Sequence, residues 1–357
     1  MSILDDTKKI KKIDKKNVLG SIEQLWSQCE QAWRETSQIK VPSNYKKVKN
    51  IVVNGMGGSA LGAHIIQSLF SDRIKIPLEM INSYTLPRYV NKDTLYILSS
   101  YSGNTEEPLN TCKEALKRKA KILGITTGGK LVKFLRKNNL PAYIFSPQFN
   151  PSSQPRMGLG YSIFGQIGLL KQCGFLNIIK KESEEVFYTL KKLNNQFGIK
   201  IKRQKNPAKK IAQILKGKIP ILIGSEHLVG NLHIIVNQIN ESAKNFSCYF
   251  PLPELNHHLM EGLTNPKNNS KNLIFVFIES NLYLKRIQLR YKITKEVLKK
   301  KNIEYVEFKA KEKTKILQSF EILLFGSYLS FYLSMLYKID PSLIPWVEYF
   351  KKRLSEY

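Results

Sequence analysis

Short runs of isoleucine, valine and leucine alternate with helix-like stretches twice along this chain. In the first half, "NIVVNG" (50–55), "IPLEMINS" (76–83), "TLYILSS" (94–100), "AKILGITT" (120–127) and "PAYIFSP" (141–147) read as strands. In the second half the strands are "KIPILIGS" (218–225), "NLIFVFIES" (272–280) and "IEYVEFKA" (303–310). Near-continuous apolar strands are buried on both faces, and helices between them make the crossovers that parallel pairing needs. The expected fold class is therefore α/β: two doubly wound parallel sheets in tandem, with extra helices at the N- and C-terminal ends. An amphipathic helix is expected over 18–38. The basic segment "IKIKRQKNP" (199–207) separates the halves, so the expected domains are 1–195 and 196–357. A chain of 357 residues has room for both cores.

Charge narrows the partners. Lys and Arg number 57 against 28 Asp and Glu, a formal net charge of +29. The lysines are spread along the chain, with local runs at 8–16, 195–210 and 293–301. No nucleic-acid-reading motif accompanies them, so no nucleic-acid partner is expected, and the field favours an anionic substrate instead. Cys29, Cys112, Cys173 and Cys248 are scattered with no C-x-x-C pair, which points away from disulfides and zinc and suits a reducing cytoplasm. The first 16 residues contain no apolar secretory core. The uncharged run "ILLFGSYLSFYLSMLY" (322–337) is short for a membrane span. It is expected to be a buried helix, so no membrane partner is expected and the localisation is read as cytoplasmic.

Two loops carry the chemistry, each at a strand's C-terminal end, where ligands bind in open α/β sheets. "NGMGGSALG" (54–62) offers glycines that let the backbone approach a ligand, followed by a helix with free N–H groups. "SSYSGNTEEP" (99–108) adds hydroxyls, with Asn104 or Thr105 placed to cap the next helix. Together Ser59, Ser100, Ser102 and Thr105, with the amides of Gly57, Gly58 and Gly103, form a candidate site for one compact phosphate. A rival reading exists. Gly55, Gly57 and Ala60 formally satisfy a dinucleotide fingerprint, and Glu79 lies near the ribose-binding distance, which would make an NAD(P)-dependent oxidoreductase. The second hydroxyl loop is more than such a site requires.

"GMGGSALG", "SYSGNTEE", "ITTGGKL", "QPRMGLGY", "NESAK" and "PELNHH" occur in this order from about residue 50 onward. Together they resemble the archaeal-type bifunctional phosphoglucose/phosphomannose isomerases, built from two sugar isomerase domains. The resemblance implies an aldose–ketose isomerase that interconverts glucose 6-phosphate, mannose 6-phosphate or both with fructose 6-phosphate through an enediolate. Neither cofactor nor metal is implied. It assigns Glu241 as the base that moves the proton, Arg156 beside the reacting carbons, and His257 and Lys351 to ring opening. It also implies a homodimer in which the histidine reaches the neighbouring active site. His258 departs from the family's usual asparagine and leaves two candidate histidines.

Read without the resemblance, each of these residues has an ordinary alternative. Lys244 stands at i+3 from Glu241 and could pair with it. Lys351 could simply be a basic residue at a helix C-terminus. A non-catalytic phosphosugar-binding regulator would keep the phosphate loop and lose the base and histidine, whereas Glu241, His257 and Lys351 are all present. His64, His227 and His233 read as structural or surface residues, with no metal-ligand spacing.

Overall fold

The structure, a computed structural model, describes residues 2–356. The first sheet contains β1 (Asn50–Gly55), β2 (Leu78–Ile81), β3 (Thr94–Ser99), β4 (Lys121–Thr126) and β5 (Ala142–Ile144). They run parallel in the order β2-β1-β3-β4-β5. The second sheet contains β6 (Ile219–Ser225), β7 (Cys248–Leu252), β8 (Leu273–Glu279) and β9 (Glu304–Lys309), parallel in the order β7-β6-β8-β9. In both sheets the chain winds outward from the first strand in each direction, as doubly wound folds do. Side chains of β1, β3, β6 and β8 form much of the core because helices cover both faces.

Three local expectations change. The 18–38 helix is two helices, Val18–Glu23 and Leu25–Thr36, broken at Gln24. The second strand is shortened to Leu78–Ile81. Strand β7 has no counterpart in the sequence reading: "CYFPL" contains neither valine nor isoleucine, and only Leu252 is buried. It forms an edge, where a proline is tolerated.

The two units repeat one another locally. Gly57 (φ 49°) and Glu226 (φ 46°) occupy corresponding positions after β1 and β6. Each enters a short 3₁₀ turn, Gly57–Ser59 or Glu226–Leu228, and then a helix, Leu61–Leu69 or Val229–Gln238. These two helices pack on each other, and the corresponding His64 and His233 stack with ring centroids 3.8 Å apart. The approach is tight enough that a Cβ on Gly230 would lie 2.3 Å from the His64 carbonyl oxygen.

The uncharged run forms the C-terminal part of the helix Lys315–Leu336 and its C-cap Tyr337, and the helix is buried along nearly its whole length. By length and composition this helix could cross a membrane, but 94% of its most apolar window is buried inside the protein. Three of its serines donate to carbonyls of their own helix, Ser327 to Leu323, Ser330 to Ser327 and Ser334 to Phe331, while Ser319 and Ser327 also donate to Asn231 and Gln238 of the neighbouring helix. The N-terminal segment is fastened to the second unit by Lys209. That buried ammonium donates to Asp5 Oδ1 and to the carbonyls of Ile199 and Ile201.

Candidate active site

Register aligns the two loops. Gly55 at the end of β1 pairs with Ser99 at the end of β3, so the following turns lie side by side. Ser99 Oγ donates to the Ser59 carbonyl (2.7 Å), and the Tyr101 amide donates to Ser59 Oγ (2.7 Å). Ser100, which is buried, accepts from the Gly103 amide (3.1 Å) and shares a 2.7 Å hydroxyl contact with Thr105. Ser102 is exposed and accepts from the Asn104 amide (3.3 Å). Thr105 occupies the N-cap position of the helix Glu106–Lys117 but makes no side-chain cap bond. The expected cap is therefore absent, because the Thr105 hydroxyl turns to Ser100 and Asn104 Oδ1 accepts from the Lys130 amide. Uncapped helix amides favour an anion. The "ITTGGKL" segment braces this loop from behind: Thr127 Oγ1 donates to the Tyr101 carbonyl and the Leu131 amide to the Gly103 carbonyl.

The glycine turn also touches the arginine loop. A Cβ on Gly58 would lie 2.7 Å from the Arg156 amide nitrogen, so the close approach of these two backbones requires glycine. This contact sets Ser59 beside the "QPRMGLG" segment. Arg156 is itself buried, and its Nη1 meets Glu241 Oε2 at 3.3 Å. Glu241 sits in a π-helical turn, Ile239–Ala243, that continues the helix Val229–Gln238. Such turns re-aim side chains at the end of a helix. The Glu241–Lys244 pair suggested by spacing does not form. Lys244 adopts a left-handed conformation (φ 51°), and its ammonium donates to the carbonyls of Ser242 and Asp340. Burial, and then the Arg156 charge, push the Lys244 pKa down to about 8, although the residue as a whole stays exposed. Burial likewise draws Arg156 below its ordinary value, while Glu241 and Asp340 act in the opposite direction.

The remaining sequence-derived residues lie on exposed surface elements of the chain. His257 ends the turn Glu254–His257 and is exposed; neighbouring Asn256 ties the turn to Thr294 and Arg290. His258 is also exposed and pairs with Glu254 at 2.8 Å. Lys351 is exposed on Pro345–Leu354, a helix with no buried residue. Around the arginine, sequence reasoning passed over Gln154, Ser242 and Gln238. Gln238 Nε2 donates to the Arg156 carbonyl (3.2 Å). Gln154 and Ser242 lie inside motifs already quoted, so their location was visible although their contacts were not.

Two features bear on the rival readings. In the second unit, Glu226 Oε1 accepts from the Leu284 amide at the start of the helix Lys285–Lys300. The protein's own carboxylate thus takes the place that an anion could occupy at the corresponding loop of the first unit. Glu79, the acid that the dinucleotide reading requires, accepts from the Tyr89 hydroxyl.

Comparison with known proteins bears on the family and the fold. Residues 204–354 match the bacterial phospho-glucose isomerase C-terminal SIS domain. A bifunctional phosphoglucose/phosphomannose isomerase of Caldicellulosiruptor bescii is 31% identical over 341 residues, covering 94% of this chain and 98% of the relative. The chain belongs to that isomerase family. A second member, from Aquifex aeolicus, is 29% identical over 94% of the chain and 98% of its own length. The family's fold is shared more widely. A glucose-6-phosphate isomerase from Chlamydia trachomatis D/UW-3/Cx superposes with TM-score 0.69 at 13% identity, covering 94% of this chain and 77% of that one. The protein is accordingly an isomerase with paired SIS-type sheets.

Proposed function

We propose that this protein interconverts glucose 6-phosphate and mannose 6-phosphate with fructose 6-phosphate through an enediolate, without a metal. The observation that carries the reading is the Arg156–Glu241 pair, 3.3 Å apart, with the Arg156 backbone in close approach to the glycine turn at Gly58. Aldose–ketose isomerisation needs one base beside C1 and C2 and a positive group for the developing oxyanion. Glu241 and Arg156 have those chemistries. Ser59, Ser100, Ser102 and Thr105, with the amides of Gly57 and Gly58, would hold the phosphate at the other end of the sugar. The two aldoses differ only at C2, and removing the C2 proton erases that difference, so one base can serve both.

Ring opening falls to His257 and Lys351 in this reading, supplied across a homodimer with shared active sites. Support comes from their exposure and from the apolar surface around Lys351, where Trp346 is 80% and Phe350 61% exposed. Large exposed apolar patches mark interaction sites. A coupled assay of fructose 6-phosphate formation from each aldose, run with EDTA, tests the whole proposal. Turnover of both sugars in the wild type and a loss of about a thousandfold or more in Glu241→Gln are expected. A regulator or an oxidoreductase would turn over neither sugar, and wild-type rates in Glu241→Gln would remove the base from the mechanism.

A further inference from the structure

A guanidinium has five N–H donors, and on Arg156 every one is already spoken for. Nε donates to Ser242 Oγ (3.1 Å), and Nη2 donates to the carbonyls of Pro341 (2.6 Å) and Ser342 (3.2 Å). Nη1 divides its two between Gln154 Oε1 (2.9 Å) and Glu241 Oε2 (3.3 Å). The Nε and Nη2 bonds are buried, whereas both Nη1 partners are only half-buried. Nη1 is thus the corner that a sugar oxygen can reach. Of its two partners Gln154 is the closer. Gln154 is held from behind, its amide donating to Ser152 Oγ and its carbonyl accepting from Asn150 Nδ2.

We propose that Gln154 is a positioning residue for the isomerisation: a neutral acceptor that aims Arg156 Nη1 while leaving the guanidinium charge for the reacting oxygen. The inference rests on the isomerase reading above and deepens it. An amide oxygen fixes the N–H direction without bringing a charge. A carboxylate at the same place would neutralise part of the guanidinium and repel Glu241 across a shared nitrogen. Lys244 and Asp340 also carry charge near Arg156, and neither bonds Nη1.

A purely structural glutamine gives a different expectation for kcat alone: a carboxylate would bond the buried guanidinium more strongly still, so Gln154→Glu would stay folded and keep its kcat. The variants Gln154→Glu and Gln154→Met, assayed on both aldose phosphates beside thermal melts, separate the two. Gln154→Glu is expected to melt at or above the wild-type temperature and to lose about tenfold or more in kcat. Its KM should stay within about threefold, because the phosphate end is held by other loops. Gln154→Met should lose kcat less severely. A folded Gln154→Glu enzyme with kcat within about twofold of wild type overturns the inference. If Gln154→Glu does not fold, undiminished kcat in folded Gln154→Met overturns it equally. Inactivity of the wild type on both sugars defeats the isomerase reading and this inference with it; an active wild type with unaffected variants defeats only the inference.

Discussion

A single buried side chain, Arg156, joins three separate stretches of chain. Its partners lie at Gln154, at Glu241 and Ser242, and at the carbonyls of Pro341 and Ser342. Lysine has three donors on one point and cannot reproduce this fork. Arg156→Lys should therefore leave buried carbonyls unpaired and lower unfolding free energy by about 1–3 kcal/mol in urea titrations. Unchanged stability would mean that the 341–342 carbonyls find other donors. Ser100 presents a contrasting case. Its hydroxyl orders the turn proposed to hold the phosphate, through the Gly103 amide and Thr105. Ser100→Ala should raise KM for the sugar phosphate by about tenfold with a smaller effect on kcat. A loss confined to kcat would place the serine at the reacting carbons instead.

At the scale of elements, the two repeat-related helices meet at stacked histidines. Burial first, and then the neighbouring ring of His233, push the His64 pKa down to about 3, and burial also lowers that of His233. Around the pair, the Tyr249 hydroxyl faces His233 Nδ1 at 3.1 Å. The His64 ring is thus neutral in the folded protein, whereas in the unfolded chain it takes up a proton near pH 6.5; the His233 shift acts in the same direction. Stability from this contact is complete above pH 6.5 and falls as pH drops below it. His64 contributes a loss of about 1 kcal/mol over the first pH unit below 6.5, and His233 acts in the same direction. Urea unfolding at pH 7.5 and 5.5 measures the fall, and His64→Leu should flatten it. An equal slope in that variant would assign the acid sensitivity elsewhere, for example to His227, whose pKa burial pushes down to about 4. The same helix pair also brings the first unit's glycine turn and the second unit's Glu241 turn into one region, since each helix connects directly to one of them.

Across the whole molecule, the basic surface and the bare C-terminal helix are the outward features. The net charge of +29 raises the local concentration of an anionic sugar, an effect that added salt should weaken. The apolar face of Pro345–Leu354 bears on assembly. In the proposed dimer, Trp346→Glu combined with Phe350→Glu should shift the mass measured by light scattering from two chains to one. Activity should fall with it, because the shared histidine would be removed. A fully active monomer would show that each chain completes its own site.

What the sequence by itself determined is local. Among the described residues, apolar runs and their spacing mark eight of the nine strands, because burial on both faces leaves a direct imprint on composition. The glycines and hydroxyls of both turns are equally visible, since tight turns at strand ends demand those residue types. Strand β7 escaped because an edge strand needs only one good neighbour and little burial. Tertiary structure alone decided the partners. Glu241 meets Arg156 from 85 residues away, and Pro341 lies 185 residues from the arginine that holds it. No period or motif encodes such distances, and the local alternative, Lys244, fails because the π turn points it elsewhere. Propensity acts through neighbours along the chain, whereas an ion pair depends on where two separate folding units bring their ends together.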